Sequence, residues 1–292
     1  MRRCDMGAGA KQFRAWLVLG RVSNLPTVWS NCLAAWLLGG GGAWGRFALL
    51  GAGATLLYLG GMFLNDAFDE EFDRAHRRTR PIPAGLVAAR TVWLCGWSLL
   101  GAGLLALCLL GQAVVMLAAL LAGTIVVYDA IHKRIAFAPA LMAECRFLLY
   151  LVAASAANAG VSGLAMWSAL VLALYVAGLS FVARGEGLGQ AVSRWWAVLL
   201  AAPVVLALIA NSGPLRQDAV LLAVVLAAWT ARSLRPLWWA QPPDIGRAVS
   251  GLLAGIVWVD WLAVADQGRE FGFVFIGLFL LARAAQRFVP AT

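Results

Sequence analysis

Asn65-Asp66-Ala67-Phe68-Asp69-Glu70-Glu71-Phe72-Asp73-Arg74-Ala75-His76-Arg77-Arg78-Thr79-Arg80-Pro81-Ile82-Pro83-Ala84-Gly85 packs five carboxylates and five arginine or histidine side chains into a chain that is otherwise oily. The residues before it, roughly 45 to 66, form an apolar run long enough for a membrane-crossing helix. If that helix continues, Asn65, Asp69 and Asp73 recur at i, i+4 and i+8, and their oxygens lie along one stripe. Hard oxygen donors in such a row suit Mg²⁺, which takes one or two carboxylates and completes its shell with waters or phosphate oxygens. Arg77 and Arg80 follow one turn apart, as forked donors able to grip a phosphate at two points. Pro81 and Pro83 are then expected to end the helix. Acids followed by arginines read as a clamp for magnesium and a diphosphate. A solvated loop between spans could carry the same charges, but it has no need of the eight-residue regularity.

Outward from this stretch the composition is that of an integral membrane protein. The 292 residues are 62% hydrophobic and only 13% charged, with a mean hydropathy of +0.82, far too apolar for a soluble domain. Ten segments are long and apolar enough to span: roughly 16 to 38, 45 to 66, 89 to 110, 112 to 130, 138 to 157, 163 to 183, 194 to 210, 216 to 234, 246 to 265 and 271 to 289. The net charge of +9 does not indicate nucleic acid, because the basic residues are split among short loops. With a cytoplasmic N-terminus, 18 Lys and Arg fall on the inner side and 3 on the outer, leaving Arg21 and Arg146 within spans. That split predicts a multi-pass inner-membrane protein with both termini and the acidic loop facing the cytoplasm. Segments three and four are joined only through Gly111-Gln112, which implies a tight hairpin. The five cysteines show no metal or redox spacing. The first apolar segment lacks a convincing cleavage site and is expected to stay as a span. Nothing resembling a linker divides the chain, so a single domain, 1–292, is expected.

The residues of the acidic stretch carry a resemblance. Asn65-Asp66-x-x-Asp69-x-x-x-Asp73, followed by the Arg-rich run into Arg80-Pro81-Ile82-Pro83-x-Gly85, resembles the first aspartate-rich motif of the UbiA superfamily of intramembrane prenyltransferases. The resemblance implies an all-α polytopic bundle of about nine or ten transmembrane helices around a central cavity. It implies Mg²⁺ on Asn65, Asp66, Asp69 and Asp73, a prenyl diphosphate as donor, and transfer of the prenyl group to a hydrophobic, aromatic acceptor within the bilayer. Tyr128-Asp129-Ala130-Ile131-His132-Lys133-Arg134 is similar to the family's Tyr and Lys-Arg element, which implies Lys133 and Arg134 as diphosphate ligands and Tyr128 as cavity lining. After the sixth span the family carries a second acidic motif. Here Val182-Ala183-Arg184-Gly185-Glu186-Gly187 stands in its place, with the leading aspartate absent, so Glu186 is the expected further metal ligand and Arg184 is expected to replace the second cation electrostatically at the diphosphate. Arg21-Val22-Ser23-Asn24-Leu25-Pro26-Thr27-Val28-Trp29 and the Ala183 to Glu186 element resemble the EboC-like branch more than the ubiquinone-pathway enzymes.

Ionisable groups within spans are costly and have a partner or a role. Arg21 and Asn24 stand one turn apart in the first span and are expected to face one cavity, with Asn24 against substrate. Glu144 and Arg146, at i and i+2, cannot pair with each other; Arg146 is a substrate-binding candidate. Asp260 lies deep in the ninth span. Phe63, Phe68 and Phe72 are the aromatics expected to line the cavity and shield an allylic cation. Two other function classes fit the same composition: a prenyl-lipid-binding protein without turnover, and a small-solute transporter with charges near mid-membrane. The acids cluster in one loop, which argues against the transporter.

Overall fold

The computed structural model describes residues 8–188, 194–210 and 215–291. Every regular element in them is helical: α1 Ala8–Leu19, α2 Leu25–Leu38, α3 Trp44–Phe68, α4 Glu70–His76, α5 Ala89–Cys108, α6 Gln112–Ile131, α7 Ala138–Ser155, α8 Gly163–Leu188, α9 Ala202–Ala210, α10 Leu215–Trp238, α11 Ile245–Ala263 and α12 Arg269–Ala285. Seven of them, α3, α5, α6, α7, α8, α10 and α11, are long and apolar enough to cross a membrane. The other three expected spans are shorter. α2 has 14 residues, α12 has 17, and the seventh segment is a 3-10 run, Arg194–Ala201, leading into nine-residue α9. At 1.5 Å per residue, 14 residues reach about 21 Å, well under the roughly 30 Å of a hydrocarbon core. α2 tolerates this because it runs through the middle of the bundle, packed by α3, α7, α8, α11 and α12, and ten of its residues are buried.

The first expected span, 16 to 38, is broken rather than continuous. Pro26 has no N–H to carry the ladder on from α1, so a new helix starts with Pro26 in its first turn, where the missing donor costs nothing. Between the two helices lies the 3-10 turn Val22–Asn24, entered through Arg21 in left-handed backbone at φ 40°, ψ 47°. A non-glycine residue pays about 1 to 2 kcal/mol for that conformation. The break turns the Arg21 side chain toward α3.

α3 and α5 form the most intimate pair. Gly53 and Gly60 on α3 face Gly103 and Gly96 on α5. A Cβ on Gly60 would sit 2.7 Å from the Leu100 amide nitrogen and 2.9 Å from the Gly96 carbonyl. Glycine is required because backbone meets backbone, the usual way membrane helices gain contact where lipid removes the hydrophobic drive. Gly111, at φ 128°, makes the expected hairpin between α5 and α6. At the opposite end of the bundle from the acids, Arg46 donates to the Leu110 carbonyl at 2.8 Å and to the Ala156 carbonyl at 3.3 Å, satisfying acceptors just beyond α5 and α7.

Candidate functional site

The acidic stripe forms as its spacing predicts. α3 ends at Phe68 and α4 begins at Glu70, yet the i to i−4 bonds run through the joint: the Asp69 amide donates to Asn65 at 3.0 Å and the Asp73 amide to Asp69 at 2.8 Å. Asn65, Asp66, Asp69 and Asp73 are all buried, at 3, 4, 7 and 3% exposure, while Glu71 and Arg74 face outward. The exit differs from expectation, because the helix stops at His76, well before Pro81. A continued helix would stack Arg74, Arg77, Arg78 and Arg80 at i+3 and i+4 spacings, where like charges repel. Unwinding separates them. Arg80 turns inward, its Nη1 3.9 Å from Asp66 Oδ2, while Arg77 stays exposed.

Two more parts of the chain converge on the stripe. From the break before α2, Arg21 Nη2 donates to Asn65 Oδ1 at 2.9 Å and lies 3.3 Å from Asp66 Oδ1, while its carbonyl accepts from the Tyr58 hydroxyl at 3.1 Å. From the end of α6, Lys133 Nζ reaches Asp69 Oδ2 at 3.0 Å and His132 Nε2 stands 3.5 Å from the same oxygen. From within α6, Asp129 accepts from the Asn65 amide at 3.0 Å. Burial works against ionisation of Asp69, but His132 and Lys133 outweigh it and hold the carboxyl below its ordinary value. Burial pushes Asp73 up, only partly offset by Arg80 and reinforced by the charge of Asp69. Burial, then the nearby Arg21, holds Arg80 down from its ordinary value.

Whether these residues suit a divalent cation can be read from their unused lone pairs. Asp66 Oδ2, Asp73 Oδ1 and, deeper, Asp129 Oδ2 are buried with no hydrogen-bond partner, and a buried carboxylate oxygen left without one is costly. No trio of His, Cys, Asp or Glu among the described residues is already set in metal-holding geometry. Mg²⁺ does not demand one, since it is held by one or two carboxylates and keeps several waters or phosphate oxygens. Asp66 Oδ2 and Asp73 Oδ1, hard oxygens free of hydrogen bonds at the mouth of the bundle, therefore fit the cation.

Beneath the stripe, among α2, α3, α6 and α7, lies a cavity of about 80 Å³ whose wall includes Tyr58, Met62, Tyr128, Asp129, Met142 and Arg146. Arg146 is anchored there. It donates to Asn31 Oδ1 at 2.6 Å and to Thr27 Oγ1 at 3.0 Å, and the Asn31 amide passes the contact on to Asp260 at 2.7 Å. The polar groups of α2, α7 and α11 thus satisfy one another inside the bundle, as low-dielectric surroundings require.

Tyr128, Lys133, Arg80, Arg146 and the four acidic-stripe residues therefore gather at or just below one mouth. Asn24 also stands at this end, beside Tyr58, but its amide is given to the Ala291 carbonyl at 2.9 Å. The remaining candidates do not gather there. Arg134 is exposed and makes no ion pair among the described residues. Arg184 donates to the carbonyls of Ile135 and Ala136 at 2.8 and 2.6 Å, fastening α8 to the α6–α7 turn. The side chain of Glu186 lies outside the described residues. Phe63, Phe68 and Phe72 are not in the cavity wall. Phe63 packs on Trp16, Phe68 on Trp93, and Phe72 lies under the Lys133 ammonium, 3.9 Å from its ring centre. The cavity's aromatics are Tyr58 and Tyr128. Tyr58, Asp129 and His132 were assigned no role from sequence; the one available signal was the adjacency of Asp129 and His132 to Tyr128 and Lys133.

The sequence profile described as the UbiA prenyltransferase family matches residues 23–249. The chain is 33% identical over 159 residues to 4-hydroxybenzoate polyprenyltransferase, mitochondrial, of Aedes aegypti, a match covering 53% of this chain and 34% of that protein. It is 34% identical over 80 residues to digeranylgeranylglyceryl phosphate synthase of Metallosphaera sedula, covering 27% of this chain and 28% of that one. The matched stretch thus spans about a third of these relatives or less. The apo structure of a UbiA homolog from Aeropyrum pernix K1 superposes with a TM-score of 0.65 at 17% identity, over 85% of this chain and 98% of that one, a likeness of fold. With a profile match over about three quarters of its length, the chain belongs to the UbiA prenyltransferase family.

Proposed function

We propose that the protein is an intramembrane prenyltransferase that moves a prenyl group from a prenyl diphosphate to a hydrophobic, aromatic acceptor with the help of Mg²⁺. The observation that carries this reading is the pair of buried carboxylate oxygens on Asp66 and Asp73 that accept no hydrogen bond, ringed by Arg21, Arg80 and Lys133. Two relatives with differently named products share the resemblance, which supports prenyl transfer without fixing the acceptor.

Asp66, Asp69 and Asp73, with Asn65, would hold Mg²⁺, and Glu186 is the further candidate. When bound, the ion supplies positive charge to the departing diphosphate. The chain's own cations do the remaining neutralisation. Arg80 and Lys133, now leaning on Asp66 and Asp69, are within a side-chain rotation of the same mouth and grip phosphate oxygens as charge develops there. The allylic C–O bond breaks with its electron pair going to the diphosphate. The allylic cation forms a bond to an electron-rich carbon of the acceptor, which then loses a proton. Tyr58 and Tyr128 offer their ring faces to that cation. Met62 and Met142, unbranched and adaptable, are the walls able to yield to an isoprenoid tail. In the bilayer this mouth faces the cytoplasm, both termini are cytoplasmic, and the chain works as one domain of the inner membrane.

Membranes containing the protein, incubated with radiolabelled prenyl diphosphates of several chain lengths and cell extract, should yield a labelled lipid-soluble product with Mg²⁺ and none with EDTA. No labelled product with any donor would reject transferase activity. One observation favours a second reading, a protein that holds prenyl diphosphate without turning it over. The leading aspartate of the second motif is absent, and Arg184 is occupied by two carbonyls away from the acids. Tight binding of a non-hydrolysable diphosphate analogue with no turnover across many acceptors would select it.

A further inference from the structure

A second polar pocket, sharing no residue with the acidic mouth, opens where the end of α10, the start of α11 and the end of α12 meet. It encloses about 420 Å³ and is lined by Trp229, Arg232, Arg235, Trp239, Arg247 and Arg283, among others. The charges of Arg232, Arg247 and Arg287 all bear on Arg283. None of these five arginines has a carboxylate within 4 Å among the described residues. The one acid in the lining, Asp244, caps α11, where its side chain accepts from the Arg247 amide at 2.9 Å, and its single charge is outnumbered by the arginines. Arg247 itself sits in the first turn of α11, the positive end of the helix dipole, where a cation is disfavoured unless an anion lies between. Four exposed arginines thus line one pocket against a single carboxylate, an excess of positive charge that suits an anion, and guanidinium forks match phosphate oxygens.

The depth of the pocket indicates how the anion arrives. Trp239 and Trp238 at its edge are 72 and 37% exposed, as tryptophans are at the level of lipid headgroups. Asn24 is bonded to Ala291, and Gln286 to the Ser250 carbonyl, so this end of α12 lies on the same side of the bundle as the acids. Basic pockets between helices at that level hold lipid phosphates.

We propose that this pocket binds the phosphate of an anionic phospholipid headgroup, with Arg232, Arg247 and Arg283 as its ligands and Trp229 and Trp239 as its walls. The test uses the full chain in detergent, titrated with phosphatidylglycerol or phosphatidylcholine and read by native mass spectrometry. The wild type should take up phosphatidylglycerol in preference, and Arg232→Gln/Arg247→Gln/Arg283→Gln should weaken that uptake on the order of a hundredfold, about fivefold per charge. The corresponding Lys triple variant, which keeps the charge and tests against misfolding, should stay within about tenfold of wild type. A control that removes three charges from the same side but away from the pocket, Lys11→Gln/Arg14→Gln/Arg90→Gln, should change little. Equal uptake of both lipids, or equal loss in the pocket and control variants, overturns the proposal. Inorganic phosphate forms a separate arm. Failure to displace bound phosphatidylglycerol supports the lipid as the source, whereas binding of inorganic phosphate with no uptake of either lipid overturns the lipid assignment.

Discussion

Replacing Arg21 by Gln should destabilise the protein without its metal and do so less once the metal is supplied. Arg21 lies 3.3 Å from Asp66 Oδ1, and the two side chains are only 19 and 4% exposed. With an effective dielectric of about 20, two charges at that distance attract by about 5 kcal/mol, most of it offset by desolvation. Removing one partner strands the other, a loss of about 3 to 5 kcal/mol for a buried pair. Arg80, 3.9 Å from the other Asp66 oxygen, recovers part of that, so a net loss of about 2 to 3 kcal/mol is expected. For a protein of this size that lowers Tm by about 5 to 10 °C. The assay is thermal unfolding in detergent followed by tryptophan fluorescence, with 14 Trp as reporters, with and without Mg²⁺ plus inorganic pyrophosphate. A cation on Asp66 replaces the charge that Arg21 supplied, so the gap should narrow by about half or more. Arg21→Lys, which keeps the charge and loses the fork, should fall in between. A variant that unfolds within about 1 °C of wild type without Mg²⁺ would refute the reasoning.

Gly60→Leu should prevent α3 and α5 from closing, since even a Cβ there sits 2.7 Å from backbone; expression as a monodisperse species in detergent should fail, or Tm should fall by about 10 °C or more. Lys133→Gln should raise the KM for prenyl diphosphate and lower kcat/KM by about 10²-fold, measured by product formation at saturating Mg²⁺. Gly61→Val fills the cavity wall, where a Cβ already lies 2.8 Å from Ile125 Cγ2. The donors accepted should shift to shorter chains, with about a tenfold loss of kcat/KM for the longest one, read by mass spectrometry of products. Asn31→Leu cuts the link between Arg146 and Asp260 and should cost about 2 to 4 kcal/mol of stability, checked by thermal unfolding.

What the sequence revealed of the site was what lies on one helix. Asn65, Asp69 and Asp73 repeat at helical spacing, so their shared face was legible before any coordinates. The cavity aromatics were misplaced for the same geometric reason. Phe68 and Phe72 stand one residue before Asp69 and Asp73, about 100° away around the helix axis, and Phe63 is about 200° from Asn65. Side chains that reach the mouth from elsewhere were harder to assign. Arg21 points at the acids because the chain breaks before Pro26; Gly20, Ser23, Asn24 and Pro26 were signals of that break, but the apolar residues on either side made 16 to 38 read as one span. Tyr58 sits on the same helix as the acids, but its bond to the Arg21 carbonyl depends on the same break. Asp129 is fixed by a contact to Asn65 across 64 positions, which no local pattern encodes. The ten apolar segments marked the helical passes, but not that α2 and α9 would be too short to span alone. α2 is sheltered by its neighbours, and shelter is a tertiary property. No comparison separates the EboC-like branch from the rest of the family.

Transfer by the purified protein in liposomes, from a radiolabelled prenyl diphosphate to an aromatic acceptor that the wild type labels, tests the central claim most directly when Asp69→Asn and Asp73→Asn are run beside the wild type across a Mg²⁺ titration. The account predicts product that rises with Mg²⁺ in the wild type and a loss of about 10²-fold or more in each variant at every concentration. Full activity in either variant, or transfer that ignores Mg²⁺, would contradict it.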